Sequence, residues 1–365
     1  MAQSLAIELL EQEAYALRGR LACLKPLALL DASVPAASIT PHARHAIDRR
    51  LTSGHRELRQ RVTGFLHSLR PSAGRAAPTP AAAQRRFTFL RLRFNALLTQ
   101  FDIFADAVTQ RSEADTGVWL GGLDALARDA LALPGFYRSP ELICYLDRGG
   151  GAAIRRARTR LPGGGSNPVA IIRVPRERMI GAAVASSLVH EVGHQAAALL
   201  SLVESLRTVL RPLGQRHGAF LHWERWISEI VADLWSVARL GISSTTGLIG
   251  VMSLPSAFVF RGGRSDPHPI PWIRVLLSCA MGQSLYPHSQ WTQLAQVWQG
   301  LYPRAQVPLE RRKLFLELEA SLPDFVGLLT AHRPKSLRGA SLREVLDLQS
   351  RKPARLSELH DSFRC

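Results

Sequence analysis

Cysteine is scarce in this chain of 365 residues. The four cysteines, Cys23, Cys144, Cys279 and Cys365, lie far apart and form no CxxC pair. A disulfide framework or a thiolate zinc site needs closely spaced cysteines, so this spacing argues against both and favours a reducing compartment. The N-terminus has acidic residues where a signal peptide needs a basic start, so we expect no secretory signal and a cytoplasmic location.

Lysine is also rare and accounts for only four of the 46 basic residues, while the formal net charge is +17. A charge of this size would suit an acidic partner such as nucleic acid. The basic residues do not alternate with aromatic residues as in a nucleic-acid-binding module, and the excess of arginine is typical of a GC-rich coding bias. Nucleic acid is therefore a candidate partner that no motif supports.

Long uncharged segments are equally uncommon. One such segment runs from Gly241 to Phe260, and Ser, Thr, Gly and Pro255 dilute its apolar character. A membrane-spanning helix needs about 20 predominantly apolar residues. We therefore expect no transmembrane segment. The alternative is a membrane-embedded protein in which these residues form the membrane-spanning segment.

The rest of the chain has an ordinary globular composition, with 46% hydrophobic residues. Apolar residues at helical spacing predict a helical N-terminal region over residues 1–115, with a Pro/Ala-rich linker at about 71–84. Residues 116–290 are predicted to form the functional core, and residues 291–365 a helical C-terminal region. The expected fold class is α+β and predominantly helical.

Inside the core, the pattern predicts one strand and two helices that carry polar residues. Pro168–Val174 is short, β-branched and followed by proline, which indicates a strand. A long helix is predicted over about residues 179–210. A second helix is predicted over about 223–240, ending at Gly241 as a C-terminal cap.

The first of these helices contains the sequence HEVGH, in which His190, Glu191 and His194 form an HExxH motif. Histidines at i and i+4 lie on one helix face, so both imidazoles can reach one metal ion. Glu191 can then take a proton from water at the open coordination position. The alternative is a pair of hydrogen-bonded core histidines beside an exposed glutamate.

The second helix contains SEIVADLW, with Glu229 and Asp233 again at i and i+4 on an otherwise apolar helix. Two histidines need a third protein ligand, and Glu229 can supply it. Asp233 can orient a metal-bound histidine by accepting its other ring N–H. The metzincin pattern is excluded because Ala197 and Leu200 stand where that pattern needs glycine and histidine. The alternative is that Glu229 is a glutamate near a helix N-terminus and Asp233 a solvated aspartate.

A proline-rich element, SDPHPIPWIRV, follows these helices. Proline stiffens the loop, so His268 can be held where it donates a hydrogen bond to an oxyanion. Arg274 can pair with a buried carboxylate, either Glu229 or Asp233. Taken alone, His268 is more often a surface histidine.

HExxH, then Glu-x-x-Ala-Asp, then His-Pro with an arginine six residues after the histidine, resembles the gluzincin peptidases. The pattern is most similar to that of the CAAX prenyl endopeptidase and the heat-shock protease HtpX, and it covers about residues 168–275. The resemblance implies one Zn²⁺ per chain, held by His190, His194 and Glu229, with Glu191 as the catalytic base. The ImmA/IrrE-type metallopeptidases are similar in HExxH and E-x-x-A only.

The resemblance also implies a zincin-like core with an edge strand beside the metal helix. An extended protein or peptide substrate would pair with that strand, at Ala170, Ile171 and Ile172. We thus expect a zinc-dependent endopeptidase that hydrolyses peptide bonds with Glu191-activated water. The alternative is a non-catalytic protein with a zincin scaffold, whose basic helical arms bind nucleic acid or an acidic partner.

Overall fold

The structure is a computed structural model that describes residues 2–25, 35–70, 78–149, 151–176, 182–263 and 266–347. Within these ranges the chain is predominantly helical and contains one small sheet. The predicted class, α+β with mostly helix, is confirmed at this level.

The secondary structure of the described ranges consists of α-helices, short 3-10 turns and three strands. The helices are α1 (Ala2–Cys23), α2 (Pro41–Leu69), α3 (Pro80–Thr109), α4 (Ala114–Leu131), α5 (Ala182–Leu199), α6 (Leu202–Gly214), α7 (Gly218–Leu240), α8 (Ile242–Met252), α9 (Ser256–Val259), α10 (Pro271–Leu285), α11 (Ser289–Leu301), α12 (Arg312–Ala331) and α13 (Leu342–Leu346). The strands are β1 (Leu142–Asp147), β2 (Ala153–Arg155) and β3 (Ala170–Pro175).

The chain forms two compact units. The first comprises Met1–Gly122, Pro140–Tyr145 and Arg155–Ile171, and the second comprises Leu123–Ser139, Leu146–Ile154 and Ile172–Cys365. Helices α5 to α13 therefore belong to one unit. The boundaries of these two units differ from those of the three regions predicted from the sequence, so the three regions stay a prediction.

The first unit contains α1, α2 and α3, which pack on one another around an apolar core. Helix α3 begins with Thr79, whose Oγ1 accepts a hydrogen bond from the amide of Ala82 at 3.3 Å, and with Pro80 in the first turn. Proline is compatible with this position because its missing N–H has no helical partner there. Part of the predicted linker, residues 80–84, is therefore helical, and that prediction is wrong; residues 71–77 of the linker lie outside the described residues.

The second unit is built around α5 and α7, the helices that carry the polar motifs. The predicted long helix over residues 179–210 is wrong in its length, because it is divided into α5 and α6. The break falls at Ser201, which has φ 52° and ψ 34°. A left-handed backbone at this residue ends one helix and redirects the chain into the next. Residues 177–181 lie outside the described part.

The sheet has the strand order β1-β3-β2. The prediction that the strand with Ala170, Ile171 and Ile172 lies at the edge is wrong, because β3 is paired on both sides. All three residues are buried, as a central strand requires. The short strand β2 lies at an edge and comes from a glycine-rich segment whose composition indicates loops.

The uncharged segment 241–260 does not form one continuous helix. It contains α8 and α9, separated by Ser253–Pro255. None of the helices in the described ranges has the length and apolar character that crossing a membrane requires.

Candidate metal centre

Helices α5 and α7 cross so closely that glycine is required at the crossing. A Cβ atom added to Gly193 would lie 2.7 Å from the Cα of Ala232 and 2.8 Å from its carbonyl oxygen. Both distances are shorter than real Cβ contacts, so only glycine fits opposite this alanine. The small residues inside HEVGH and EIVAD therefore bring the polar side chains of the two helices into contact.

The imidazoles of α5 surround one carboxylate of α7. The Nε2 atom of His190 lies 3.2 Å from Oε2 of Glu229, and the Nε2 atom of His194 lies 3.5 Å from Oε1. One ligand atom from each of these three residues lies within 4.8 Å of the others. His190, His194 and Glu229 thus form a candidate metal-binding triad on two packed helices.

Asp233 fixes the orientation of His190. The carboxylate can only accept, so Nδ1–H of His190 donates to Oδ1 of Asp233 at 2.8 Å. This leaves the Nε2 atom of His190 facing Glu229. Asp233 is buried, and its position one turn after Glu229 on α7 places it behind the triad.

Arg274 of α10 neutralises Asp233. Its Nε donates to Oδ2 of Asp233 at 2.7 Å, and its Nη2 donates to Oδ1 at 2.9 Å. The Oε2 atom of Glu229 is more distant, 3.9 Å from Nη2. Of the two carboxylates expected as partners, Asp233 receives the bidentate contact, which is the stronger geometry for arginine.

Electrostatics keep Asp233 ionised. Burial alone would raise the pKa of Asp233, but Arg274 and His190 lower it to about 2. Burial also opposes charge on His190, whereas Asp233 and Glu229 raise the pKa of its imidazole to about 9. Despite its burial, the carboxyl of Glu229 has a pKa well below its usual range, because His190 and His194 donate to it. Two carboxylates therefore carry negative charge on either side of His190.

His268 lies beside the same carboxylate, with its Nε2 atom 3.3 Å from Oε2 of Glu229. Asp266, which the sequence reasoning missed, holds this histidine. Its Oδ1 accepts from the backbone N–H of His268 at 2.9 Å and from Nδ1–H at 2.8 Å. The sequence contains one signal for this contact, because the aspartate stands two residues before the histidine with a proline between them.

Glu191 and one member of the triad, His190, line a cavity of about 590 Å³. The side chain of Glu191 is buried, and the cavity is also lined by His268 and Arg274. Gly151 and Ala152, which precede β2, line the same cavity. Glu191 and His190 therefore border one cavity, next to the residues that precede an edge strand.

The donor set fits a catalytic zinc ion. Two donors that each lie about 2.1 Å from one tetrahedral ion are about 3.4 Å apart. Oε2 of Glu229 lies 3.2 Å from Nε2 of His190 and Oε1 lies 3.5 Å from Nε2 of His194, and one ligand atom from each of the three residues lies within 4.8 Å of the others. Two imidazole nitrogens and one carboxylate leave a fourth position open, as in catalytic sites.

Comparison with protein-family models, with curated proteins and with solved structures gave no match to this chain.

Proposed function

We propose that this protein is a zinc-dependent metallopeptidase with a zincin-like core, and that it acts as an endopeptidase. The proposal rests on one observation, the convergence of His190, His194 and Glu229 into one possible metal site, with His190 also lining the cavity that Glu191 lines. The three ligands would hold one Zn²⁺ per chain. The bound ion would act as a Lewis acid for the scissile carbonyl and acidify a water molecule in its open position.

Glu191 supplies the base in this proposal. Its carboxylate accepts a proton from the attacking water and transfers it to the amine of the leaving product. Asp233 acts through His190, since it accepts from Nδ1–H and leaves Nε2 directed towards Glu229, and Arg274 holds Asp233 in place by donating to both of its oxygens. This explains why a buried arginine and a buried aspartate stand behind the histidine.

His268 is proposed to stabilise the developing oxyanion. Asp266 accepts from its Nδ1–H, which turns Nε2 towards Glu229. When His268 carries both ring protons, Nε2–H can donate to an oxygen that gains negative charge in the transition state. The backbone of an extended substrate would pair near Gly151 and Ala152, at the edge strand β2, rather than at β3.

The test uses a peptide library derived from a proteome digest, incubated with the zinc-loaded protein and with zinc-loaded Glu191→Gln. Mass spectrometry identifies the new peptide termini. We expect cleavage by the wild type and none by the variant, with equal zinc content and equal thermal stability. The same cleavage products from both proteins, or none from either, would contradict the assignment.

The alternative is a non-catalytic scaffold that binds nucleic acid or an acidic partner through its basic helices. It gives no role to Glu191, which is buried and lines the same cavity as His190. Retention on heparin that falls steeply with salt, together with an absence of cleavage, would favour this alternative.

A further inference from the structure

Helices α2 and α3 of the first unit border a cavity that the proposed peptidase function does not use. Its volume is about 390 Å³, within the range of about 300–1,000 Å³ that is typical of ligand pockets. It is lined by two phenylalanines and three arginines: Phe65, Phe89, Arg61, Arg86 and Arg93. Among the described residues that line it, none is acidic.

A second, smaller cavity continues along the same two helices. It has a volume of about 50 Å³, shares Arg61 and Arg93 with the larger one, and reaches Gln100 on α3. We call the two cavities together the α2–α3 groove. Arg86 and Gln100 are 14 residues apart on α3, so the groove follows about 21 Å of helix. This length favours an extended polymer over a compact small molecule.

The α2–α3 groove has an excess of positive charge. Residues 80–101, which include its α3 side, contain four arginines and no acidic residue. Of the described residues that line the groove, Glu57 of α2 is the one carboxylate. Its Oε1 atom lies 2.8 Å from Nη2 of Arg61 and 3.9 Å from Nη1 of Arg93. Two arginines therefore share one carboxylate, and a polyanion can neutralise the remaining charge.

The groove also contains an exposed aromatic ring. Phe89 has an exposed fraction of 67%, and it stands three residues after Arg86 and four before Arg93, so the three side chains share one face of α3. Phe65 is buried, with the guanidinium of Arg86 5.9 Å from its ring centre, a cation–π distance. Nη1 of Arg86 also donates to Oγ of Ser68 at 3.0 Å. These contacts hold Arg86 in place beside the exposed ring.

We propose that the α2–α3 groove binds single-stranded nucleic acid, with its arginines on the phosphates and a base stacked on Phe89. Each nucleotide offers one anion and one flat aromatic face, so a single repeating unit contacts both kinds of side chain. An acidic peptide needs separate residues to supply charge and ring, and a duplex covers the faces of its bases. This inference concerns the first unit and goes beyond the proposed peptidase function, on which it does not depend.

An anionic membrane surface is the competing occupant of arginines beside an exposed phenylalanine. Leu92, with an exposed fraction of 57%, lies one turn from Phe89 and would enter a bilayer beside it. Phe89 lines the cavity together with arginines of both helices, whereas Leu92 is not among the described residues that line it. The concave arrangement of ring and charges therefore favours a strand that lies in the groove.

The experiment measures the binding of a fluorescent oligothymidine to the 365-residue chain by anisotropy, at about 0.15 M salt. Phe89→Ala is compared with Phe258→Ala, which removes an exposed phenylalanine of α9. Arg93→Gln is compared with Arg225→Gln, which removes an exposed arginine of α7. The two members of each pair have the same net charge, so the overall charge of the chain cannot explain a difference between them. Thermal unfolding is measured for every variant.

We expect Phe89→Ala to raise the Kd for oligothymidine at least about fivefold, because it removes a stacking surface. Arg93→Gln should reduce the salt dependence of log affinity by about one in slope, because it removes a phosphate contact. Phe258→Ala and Arg225→Gln should stay close to the wild type. Glu57→Gln should tighten binding, because it removes the carboxylate that two arginines share. A duplex of equal length should bind more weakly and be insensitive to Phe89→Ala.

Several results would overturn this inference. They are wild-type protein that does not bind oligothymidine, equal Kd values for Phe89→Ala and Phe258→Ala, and polyglutamate that binds as tightly as oligothymidine. Flotation with vesicles of phosphatidylcholine and phosphatidylglycerol that Phe89→Ala abolishes, without oligothymidine binding, would assign the groove to a lipid surface instead. The peptidase function stands or falls separately, because none of these measurements involves cleavage.

Discussion

Gly193 lies against Ala232 with no space for a side chain, so the two central helices meet almost backbone to backbone. A Cβ atom at Gly193 would lie 2.7 Å from the Cα of Ala232. The same crossing brings His190 and His194 of α5 to Glu229 of α7. The packing of two small residues and the geometry of the candidate metal centre are therefore one structural feature.

Substitution of Gly193 by alanine should separate the helices and weaken both the fold and the metal site. Overpacking of this kind costs about 1–3 kcal/mol of unfolding free energy. Denaturant unfolding and zinc titration of Gly193→Ala measure the two effects. The control is Gly327→Ala on α12, where an added Cβ meets no atom within 4 Å. Equal stability and zinc affinity in the two variants would contradict the close crossing.

Substitution of Asp233 should lower the zinc affinity, although this residue is not expected to contact the substrate. Asp233→Asn removes the charge that holds His190 and pairs with Arg274, so we expect zinc affinity to fall by about 10–100-fold. The arginine would remain buried without a counter-ion, and breaking such a pair costs about 3–5 kcal/mol. Competition with a chelator and denaturant unfolding measure these effects. Asp324→Asn, an exposed aspartate on α12, should change neither quantity.

Asp266 should affect turnover through His268 while zinc stays bound. In Asp266→Ala the imidazole loses the acceptor of its Nδ1–H, so we expect kcat to fall by about tenfold or more with little change in KM. Asp266→Asn should restore part of kcat, because its side-chain oxygen can still accept the backbone N–H of His268. An unchanged kcat in the alanine variant would remove His268 and Asp266 from the proposed mechanism.

The cysteines should differ in reactivity because burial controls thiolate formation. Burial raises the pKa of the Cys279 thiol to about 12, and Cys144 is buried as well, whereas Cys23 is exposed. At pH 8 iodoacetamide should therefore modify Cys23 in the native protein and leave Cys279 and Cys144 unmodified until the protein is denatured. Peptide mapping by mass spectrometry measures each site. Rapid native alkylation of Cys279 would contradict its burial in α10.

The sequence predicts the helices of the site better than it predicts the sheet. Two polar residues at i and i+4 on an apolar helix define a face, and faces of this kind can be located from local spacing. Strand order depends on which distant segments pair with one another, and the sequence of β3 does not identify its partners. The prediction that Ile171 lies in an edge strand was wrong for that reason. The partner strand β2 comes from a glycine-rich segment whose composition indicates loops.

Two further features depended on contacts that residue spacing does not reveal. Asp266 contacts both the backbone amide and the ring of His268. The conformation of the proline-rich loop determines these contacts. The orientation of α8 depends on which face of a helix without charged residues is buried, and α8 buries Ser244 and Thr245 rather than Leu248. Hydropathy alone predicts the opposite orientation.

The metal content of the purified protein tests the candidate metal centre most directly. Mass spectrometry after zinc loading and removal of excess metal should find about one zinc per chain. His194→Ala and Glu229→Ala should lose it, while His42→Ala and Glu224→Ala, which change residues outside the triad, should retain it. Wild-type protein without zinc, or zinc that survives in His194→Ala and Glu229→Ala, would contradict the assignment of these residues as ligands.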